Sequence, residues 1–334
     1  MRKQLHLYTA TLITAKAVIP AKAGIQKNTG FRVKPGMTNH IKLMSSCIES
    51  PAKINLRLEI LKKRKDGYHE LRTVFQKIDL HDTIHFFLKE EKGISIVTDH
   101  PDLPVGKSNL LYRAAESILE RSDYRGGVHI EIKKKIPLGA GLGGGSSNAA
   151  ATLKVLNHLL KVDLSQKDLM GMGLRIGTDV PFFFLEGAAI GSGIGERLKD
   201  IELPGLWYIL IYPNFQVSTR WAYQNFVLTK RRFHINLQRF LRTPEGISHI
   251  LRNDLEEVVS GQYPQIAVMK KLLLDIGALG ALMTGSGPTV FGVFSKEEGA
   301  LAACRKVKKM VRGKGWIVLN AHSIASPPKF SACR

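Results

Sequence analysis

Residues 136–153 read IPLGAGLGGGSSNAAATL and place five glycines within the seven positions 139–145. Glycine allows positive φ angles and lets a ligand approach the backbone closely. The alanine-rich stretch that follows favours a helix, and the free N–H groups at a helix N-terminus attract anions. Ser146 and Ser147 add hydroxyl groups at the same point. The segment therefore predicts a phosphate-binding loop, and a tight glycine turn that only joins a strand to a helix is the alternative interpretation.

Two common phosphate-binding motifs fit this segment poorly. No lysine follows the last glycine, so the GxxxxGK[ST] pattern is not met. The glycines do satisfy GxGxxG, and Asp163 lies about 20 residues further on, where a dinucleotide-binding fold keeps an acidic residue. However, residues 128–135 alternate with charged side chains, and residues 149–161 keep a helical pattern where that fold needs a second strand. The sequence therefore argues against a dinucleotide-binding fold.

Strand and helix patterns are mixed around the loop. Residues 127–136 alternate as a strand that leads into it, and apolar residues recur at helical spacing over residues 149–160. Upstream, residues 52–61 predict a half-buried strand, residues 73–88 two more short strands, and residues 108–121 a helix. The loop is thus expected to join a strand to an amphipathic helix.

The composition excludes several classes of protein. A length of 334 residues with 44% hydrophobic residues suits one large domain or two ordinary ones. Three cysteines without CxxC spacing argue against a disulfide framework or a zinc site, and they fit a reducing cytoplasm. No stretch reaches the roughly 20 apolar residues that a membrane span needs. We expect no membrane partner.

The net charge of +21 is not concentrated in a recognised nucleic-acid-binding module. Residues 1–50 hold eight Lys or Arg and one acidic residue, and the remaining excess is scattered. The clusters at 62–65 and 230–232 fit solvated surfaces better than a binding stripe, so we expect no nucleic-acid partner. Residues 1–45 lack periodicity and predict a poorly ordered extension. Alternatively, the start codon is assigned too early, and the functional chain begins at Met37 or Met44.

Three motifs occur in an order that resembles the GHMP kinases. They are SPAKINLRL at 50–58, PLGAGLGGGSSNAA at 137–150 and MTGSGPTVFGVF at 283–294. Within that family, the chain is similar to the kinases that act on a cytidine diphosphate ester of methylerythritol in non-mevalonate isoprenoid synthesis. The motifs that carry this similarity are PAKINL, KDGYHEL at 65–71, GTDVPFF at 177–183 and NDLE at 253–256.

The resemblance implies an α+β fold of two domains with the active site between them. A ribosomal-protein-S5-like N-terminal domain that binds ATP would span residues 46–203, and a ferredoxin-like C-terminal domain would span residues 204–325. ATP with Mg²⁺ would phosphorylate the 2-hydroxyl of the cytidylyl substrate, in a cytoplasmic protein that is a monomer or a weak homodimer. Another GHMP kinase of the homoserine or mevalonate type is one alternative. A noncatalytic nucleotide or nucleic-acid binder is the other.

The same resemblance implies the catalytic and substrate-binding residues. Lys53 and Asp179 match the catalytic pair, in which the carboxylate receives or orients the hydroxyl proton and the lysine stabilises negative charge. Tyr68 and Tyr223 match the aromatic positions that sandwich the cytosine, and His69 matches the position that hydrogen-bonds its edge. The full substrate-binding set is Asn55, Tyr68, His69, Thr219 and Tyr223.

The resemblance also implies the ATP-binding residues. Asn109 matches a position near the adenine, and the turn GSGPT at 285–289 would lie near the substrate phosphates or the catalytic loop. The form GGGSSNAA departs from the shorter GLGSSA of mevalonate-type kinases, so no residue is assigned as a magnesium ligand. The ATP-binding positions in the glycine-rich segment are Pro137, Gly139, Gly141, Leu142, Gly143, Gly144, Gly145, Ser146 and Ser147.

Overall fold

The computed structural model describes residues 45–228 and 237–325. Of the predicted extension, residues 1–44 lie outside the described residues, and so does the basic cluster at 230–232. The strands of the described part are β1 (Ser45–Lys63), β2 (His69–Lys89), β3 (Gly93–Thr98), β4 (Gly127–Lys133), β5 (Ala188–Gly193), β6 (Arg197–Ile201), β7 (Trp207–Tyr212), β8 (Arg252–Asn253), β9 (Gly280–Met283), β10 (Val290–Phe294) and β11 (Ile317–His322). The helices are α1 (Leu110–Leu119), α2 (Gly144–Leu159), α3 (Gln166–Ile176), α4 (Thr219–Gln224), α5 (Leu237–Phe240), α6 (Pro244–Ile250), α7 (Glu256–Gln262), α8 (Gln265–Asp275) and α9 (Glu297–Met310), with a 3-10 turn at Pro181–Phe184.

The first sheet is built around the long antiparallel pair β1 and β2. Its strand order is β3-β4-β2-β1-β8, and β5 and β6 extend it from β2. Residues 71–76 of β2 pair with β5, and residues 83–89 pair with β4. The sequence predicted two short strands over residues 73–88, which was wrong. One continuous strand forms there because neighbours pair with both of its edges.

The second sheet is smaller and fully antiparallel, with the strand order β11-β7-β10-β9. Helices α8 and α9 pack on it, and their apolar side chains share one core with those of the strands. The predicted boundary at residues 203 and 204 falls just before β7, where this sheet begins. That boundary stays a prediction.

Three apolar cores hold the layers together. Helices α1, α2 and α3 bury their apolar faces on one side of the first sheet. A second core lies between the two sheets and includes Ile54, Leu56, Tyr208 and Phe291. The third lies between the second sheet and its helices. The first sheet is therefore covered on both faces over part of its area.

Strand β1 differs from its expected half-buried state because its polar face is covered as well. Lys53, Asn55, Arg57 and Glu59 alternate with apolar residues, yet all four are at most 5% exposed. The Arg57 guanidinium donates to the carbonyl of Ile250 at 2.8 Å, so a segment distant in sequence covers this face. The alternation correctly separated two faces, but both are buried.

Pairing with two arginines keeps the buried Glu59 on β1 ionised. Arg57 Nη2 donates to Glu59 Oε1 at 2.6 Å, and Arg72 Nε donates to Glu59 Oε2 at 2.7 Å. Burial alone would raise the pKa of Glu59, but the hydrogen bonds and charges of the two arginines hold that pKa below its ordinary value. The pairing therefore keeps a charged cluster under the C-terminal part of β1.

No helix in the described ranges has both the length and the apolar character needed to cross a membrane.

Candidate active site

A cleft of about 480 Å³ lies where the glycine loop, defined here as residues 137–143, meets β1 and the turn at residues 284–289, called the second glycine turn. Most residues predicted for the site line this cleft. They are Lys53, Asn55, Pro137, Gly139, Gly141, Leu142, Gly143, Gly144, Gly145, Ser146, Asp179, Thr219 and Tyr223. The structure therefore brings together predicted residues from segments that are far apart in the chain.

The glycine loop ends directly at the first turn of α2, as predicted. Gly143 is the residue before the helix, with a φ of 70°, and no side chain in the described part of the chain caps this helix start. The first N–H groups of a helix have no partner inside the helix, and together with the helix dipole they favour an anion. The loop thus presents unshared backbone donors to the cleft.

Gly141 is required by close packing between the two glycine segments. Its φ is 78°, and a Cβ atom at this position would lie 2.4 Å from the carbonyl oxygen of Thr284. Backbone therefore meets backbone at this point, and no larger residue fits without displacement. The contact joins the loop of the first sheet to a turn of the second.

Backbone bonds and one tyrosine fix the shape of the glycine loop. The N–H of Lys53 donates to the carbonyl of Leu142 at 2.9 Å. The Tyr212 hydroxyl donates to the carbonyl of Leu138 at 3.1 Å. The anchors come from β1 and from β7, so both sheets hold the loop.

Sequence reasoning missed Asp82, which fixes the entry to the loop. Asp82 is fully buried and accepts hydrogen bonds from the N–H groups of Lys135 at 2.8 Å and Ile136 at 2.9 Å. The Lys134 ammonium and the Asn148 amide also donate to its second carboxylate oxygen. One carboxylate thus ties β2, the loop entry and α2 together. The only signal in the sequence was an aspartate within a strand pattern, which does not indicate such a role.

Lys53 and Asp179 form an ion pair at the centre of the cleft, with 3.3 Å between Nζ and Oδ2. Lys53 Nζ also donates to Asn55 Oδ1 at 2.6 Å, and it lies 5.5 Å from the centre of the Phe75 ring. The lysine side chain is 4% exposed, whereas that of Asp179 is 32% exposed. A fixed cation therefore stands beside a carboxylate that solvent or a substrate can reach.

Asn55 connects this pair to the second glycine turn. Its Nδ2 donates to Thr73 Oγ1 at 2.8 Å, and its backbone N–H donates to Thr284 Oγ1 at 2.9 Å. Asn253, from the NDLE motif, donates from Nδ2 to the carbonyls of Met283 and Gly285 at 2.7 and 2.8 Å. The sequence analysis singled out this motif without assigning a role. Its asparagine holds the backbone of the turn.

The predicted base pocket contains a stacked pair that differs from the expected sandwich. His69 stacks on Tyr223, with 5.4 Å between ring centres, and Tyr223 lines the cleft. Tyr68 is 55% exposed, and neither Tyr68 nor His69 is among the cleft-lining residues. Burial raises the pKa of Tyr223, and the nearby charge of Asp179 adds to the effect. Burial, with a smaller contribution from the charge of Lys63, lowers the pKa of His69. Both rings are therefore neutral at pH 7.

Two predicted ATP-binding residues are engaged in local structure and do not line the cleft. Ser147 is 1% exposed, and its hydroxyl accepts a hydrogen bond from Ser50 at 2.7 Å. Asn109 caps α1, since Oδ1 accepts from the N–H of Leu111 at 2.9 Å and Nδ2 donates to the carbonyl of Pro104 at 2.6 Å. Leu110, the neighbour of Asn109, reaches the cleft in its place.

Two family models match this chain in sequence order. The model described as the GHMP kinases N terminal domain matches residues 109–187, and the model described as GHMP kinases C terminal matches residues 236–313. A 4-diphosphocytidyl-2-C-methyl-D-erythritol kinase from Geobacter sulfurreducens is 43% identical over 278 residues, which cover 83% of this chain and 98% of that relative.

Solved structures give the same result for the fold. A crystal structure of 4-(cytidine 5'-diphospho)-2C-methyl-D-erythritol kinase matches with a TM-score of 0.72 and 30% identity, over 83% of this chain and 99% of that one. A homoserine kinase from Cytophaga hutchinsonii matches with a TM-score of 0.66 and 21% identity, over 91% of this chain and 100% of that one. These matches confirm the predicted two-domain α+β fold.

Proposed function

This chain belongs to the 4-diphosphocytidyl-2-C-methyl-D-erythritol kinases, a branch of the GHMP kinases, and we propose that it phosphorylates the 2-hydroxyl of 4-diphosphocytidyl-2-C-methyl-D-erythritol. Its activity is that of an ATP-dependent small-molecule kinase in isoprenoid biosynthesis. The observation that carries the residue assignment is the ion pair of Lys53 and Asp179, which lies at the end of the glycine loop in a single cleft.

In the proposed mechanism, Asp179 orients the acceptor hydroxyl and accepts its proton. The carboxylate is the accessible member of the ion pair, so it is the one that a substrate hydroxyl can meet. Lys53 stabilises the negative charge that develops on the attacking oxygen. Because the lysine is already held by Asn55, little reorganisation is needed when that charge appears.

ATP is proposed to place its phosphates at the glycine loop and at the start of α2. The unshared N–H groups and the helix dipole there suit an anion, and the loop is fixed in shape before a ligand arrives. Lys134, whose ammonium lies beside Gly144, is paired with the buried Asp82 and holds the entry of the loop at the same place. The loop residues thus act mainly through their backbone.

The donor atoms of the cleft suit magnesium that binds with ATP. Asp179 is the single carboxylate among the described residues that line the cleft, and no group of three or more His, Cys, Asp or Glu in the described part could hold a metal. Mg²⁺ in nucleotide sites binds largely through phosphate oxygens and water. We propose that Ser146 and the phosphates would hold the ion, which would supply neutralisation of the phosphate charge.

The cytidine end of the substrate is assigned to Tyr223 and His69. Tyr223 offers a ring face in the cleft, and His69, which stacks on Tyr223 without lining the cleft, is assigned to the base edge by the family resemblance. Thr219, on the same helix as Tyr223, contacts the second glycine turn, because Thr219 Oγ1 is 2.8 Å from Ser286 Oγ. Tyr68 would have to turn toward the cleft to complete the predicted sandwich.

Substrate selectivity tests the assignment directly. We expect ATP-dependent phosphorylation of 4-diphosphocytidyl-2-C-methyl-D-erythritol, detected as coupled ADP release, and no comparable rate with homoserine or mevalonate. Turnover of either small alcohol at an equal or higher rate would overturn the proposed substrate.

We propose that the protein is cytoplasmic, and that it is a monomer or weak homodimer without a nucleic-acid partner. Sedimentation with and without RNA would test the assembly state and the absence of RNA binding.

A further inference from the structure

Two lysines that the proposed mechanism does not use, one buried and one half-buried, lie behind the segment that carries Asp179. Lys77 is in the middle of β2 and is 1% exposed, and Lys154 is on α2 and is half-buried. Their side chains reach the same point from different elements. A buried ammonium group is costly unless hydrogen bonds and nearby charges compensate, so the presence of two requires an explanation.

Both ammonium groups bind the backbone of one short turn. The carbonyl of Phe183 accepts from Lys77 Nζ at 3.3 Å and from Lys154 Nζ at 2.7 Å. Lys77 also donates to the carbonyl of Leu185. These carbonyls are at the C-terminal end of the 3-10 turn Pro181–Phe184, where carbonyl groups have no partner within the turn and a positive charge is favourable.

The aromatic side chains of the same turn enclose the two amines. Lys77 Nζ lies 5.5 Å from the centre of the Phe182 ring, and Lys154 Nζ lies 5.0 Å from the centre of the Phe184 ring. The lysines therefore contact both the backbone and the rings of this turn. Such a set of contacts fixes its position more strictly than apolar packing alone, because hydrogen bonds are directional.

The turn connects these lysines to the catalytic pair. It begins two residues after Asp179. The Phe182 ring stacks on Phe75, with 4.8 Å between centres, and Phe75 lies under the Lys53 ammonium. A displacement of the turn would therefore move both the carboxylate and the surface beneath the catalytic lysine.

We propose that Lys77 and Lys154 are positioning residues that hold the turn after Asp179 and thereby set the carboxylate against Lys53. This inference rests on the role of Asp179 proposed above. The residues that face the substrate are then not sufficient to orient the Asp179 carboxylate. Its orientation also depends on the amines of Lys77 and Lys154 on the far side of the turn.

The hydrogen bonds of Lys77 and Lys154 to the 3-10 turn, called the clamp here, lie in an environment that makes them sensitive to pH. Burial, with a smaller contribution from the charge of Lys154, lowers the pKa of Lys77 to about 7, and the charges of Asp200 and Glu186 oppose this shift. Burial lowers the pKa of Lys154 to about 8. Hydrogen bonds from a charged amine are stronger than those from a neutral one. The clamp should therefore weaken as the pH rises through 7.

The kinetic test replaces each lysine with methionine, which keeps the length and the apolar packing. We expect Lys77→Met to lower kcat roughly tenfold to hundredfold, the scale of a misplaced catalytic group, while the KM values for both substrates change little. The inflection near pH 7 in the wild-type kcat profile should disappear. Lys167→Met, on the exposed side of α3, is the matched control and should resemble the wild type.

A folded Lys77→Met enzyme with wild-type kcat and an unchanged pH profile would overturn the proposal. An inactive wild-type enzyme would instead contradict the proposed substrate. A second measurement does not depend on turnover: NMR titration of ¹³Cε-labelled lysine in the wild type and in Lys154→Met. Removal of the neighbouring charge should raise the pKa of Lys77, and an identical titration in the two proteins would refute the shared clamp even if Lys77→Met does not fold.

Discussion

Lys53 and Asp179 meet with Nζ 3.3 Å from Oδ2, yet the two side chains differ eightfold in exposure, 4% against 32%. The lysine is held by Asn55 and packed over Phe75, so it cannot easily follow a moving partner. The carboxylate is therefore the member of the pair that faces an incoming substrate. This asymmetry gives the two residues separable roles.

Asp179→Asn should lower kcat by roughly 10²–10⁴, the usual effect of removing a general base. Asparagine keeps the size of the side chain but cannot accept the proton. The dissociation constants for ATP and the cytidylyl substrate, measured by calorimetry, should change only a few-fold, because the lost interaction is made mainly in the transition state. A folded variant with nearly normal kcat would remove Asp179 from the mechanism.

Lys53→Ala should also reduce kcat strongly, because the charge that develops on the attacking oxygen loses its fixed cation. If the two residues act as a unit, the double variant with Asp179→Asn should be far less impaired than the product of the single effects. Single-turnover rates of the four proteins would provide this cycle. Strictly multiplicative effects would show that the ion pair is not a catalytic unit.

Tyr223→Ala should weaken binding of the cytidylyl substrate much more than binding of ATP. Stacking on an aromatic ring contributes about 0.5–1.5 kcal/mol beyond burial, and the alanine also leaves His69 without its stacking partner. Tyr223→Phe keeps the ring and should have a mild effect. Calorimetric titration with each ligand tests this, and equal losses for both ligands would assign Tyr223 to the core of the second sheet alone.

Gly141→Ala should damage both stability and ATP binding. A methyl group at this position would meet the Thr284 carbonyl at 2.4 Å, and the φ of 78° adds strain of about 1–3 kcal/mol for a residue other than glycine. Gly171→Ala is the matched control, because nothing lies within 4 Å of its added methyl group inside α3. The control should gain about 0.5–1 kcal/mol of stability, and both variants can be compared by thermal unfolding. Equal stability of the two proteins would disprove the close contact.

The stability of the protein should rise with pH between about 7 and 10. The pKa of Lys77 is about 7 in the folded protein, whereas an unfolded chain keeps a lysine pKa of about 10.4. The unfolded chain therefore binds more protons in this interval, so the free energy of unfolding increases as the pH rises. Lys77→Met should reduce the slope, measured by urea unfolding at several pH values. The same slope in variant and wild type would contradict a lowered Lys77 pKa.

Local patterns in the sequence predicted the parts of the fold that depend on neighbouring residues. The alternation of residues 127–136 and the helical spacing after the glycine loop gave β4 and α2, because periodicity reports directly which face is apolar. The resemblance added the distant members of the cleft, such as Lys53 and Thr219. Periodicity and the family motifs both depend on residue types at fixed spacing along the chain.

The sequence could not reveal features that depend on what lies opposite a residue. The strand over residues 52–61 was expected to be half-buried, but its Glu59 pairs with Arg57 and Arg72 beneath a covering segment. Ser147 was expected at the ligand, but its hydroxyl is turned toward Ser50 on another strand. Asp82 belongs to no recognisable sequence motif, because its four hydrogen-bond partners lie far from it in the sequence, in the loop entry and α2. Such contacts are set by tertiary packing.

The contact between Gly141 and Thr284 also determines when the cleft can form during synthesis. A chain made from its N-terminus presents the glycine loop early, but the turn that closes against it and bonds to Asn55 is encoded near the other end. Contacts of such long sequence separation form slowly and late in folding. The ribosome must therefore release most of the chain before a nucleotide finds a finished site. Binding of a nucleotide to the complete site thus cannot stabilise the early nascent chain.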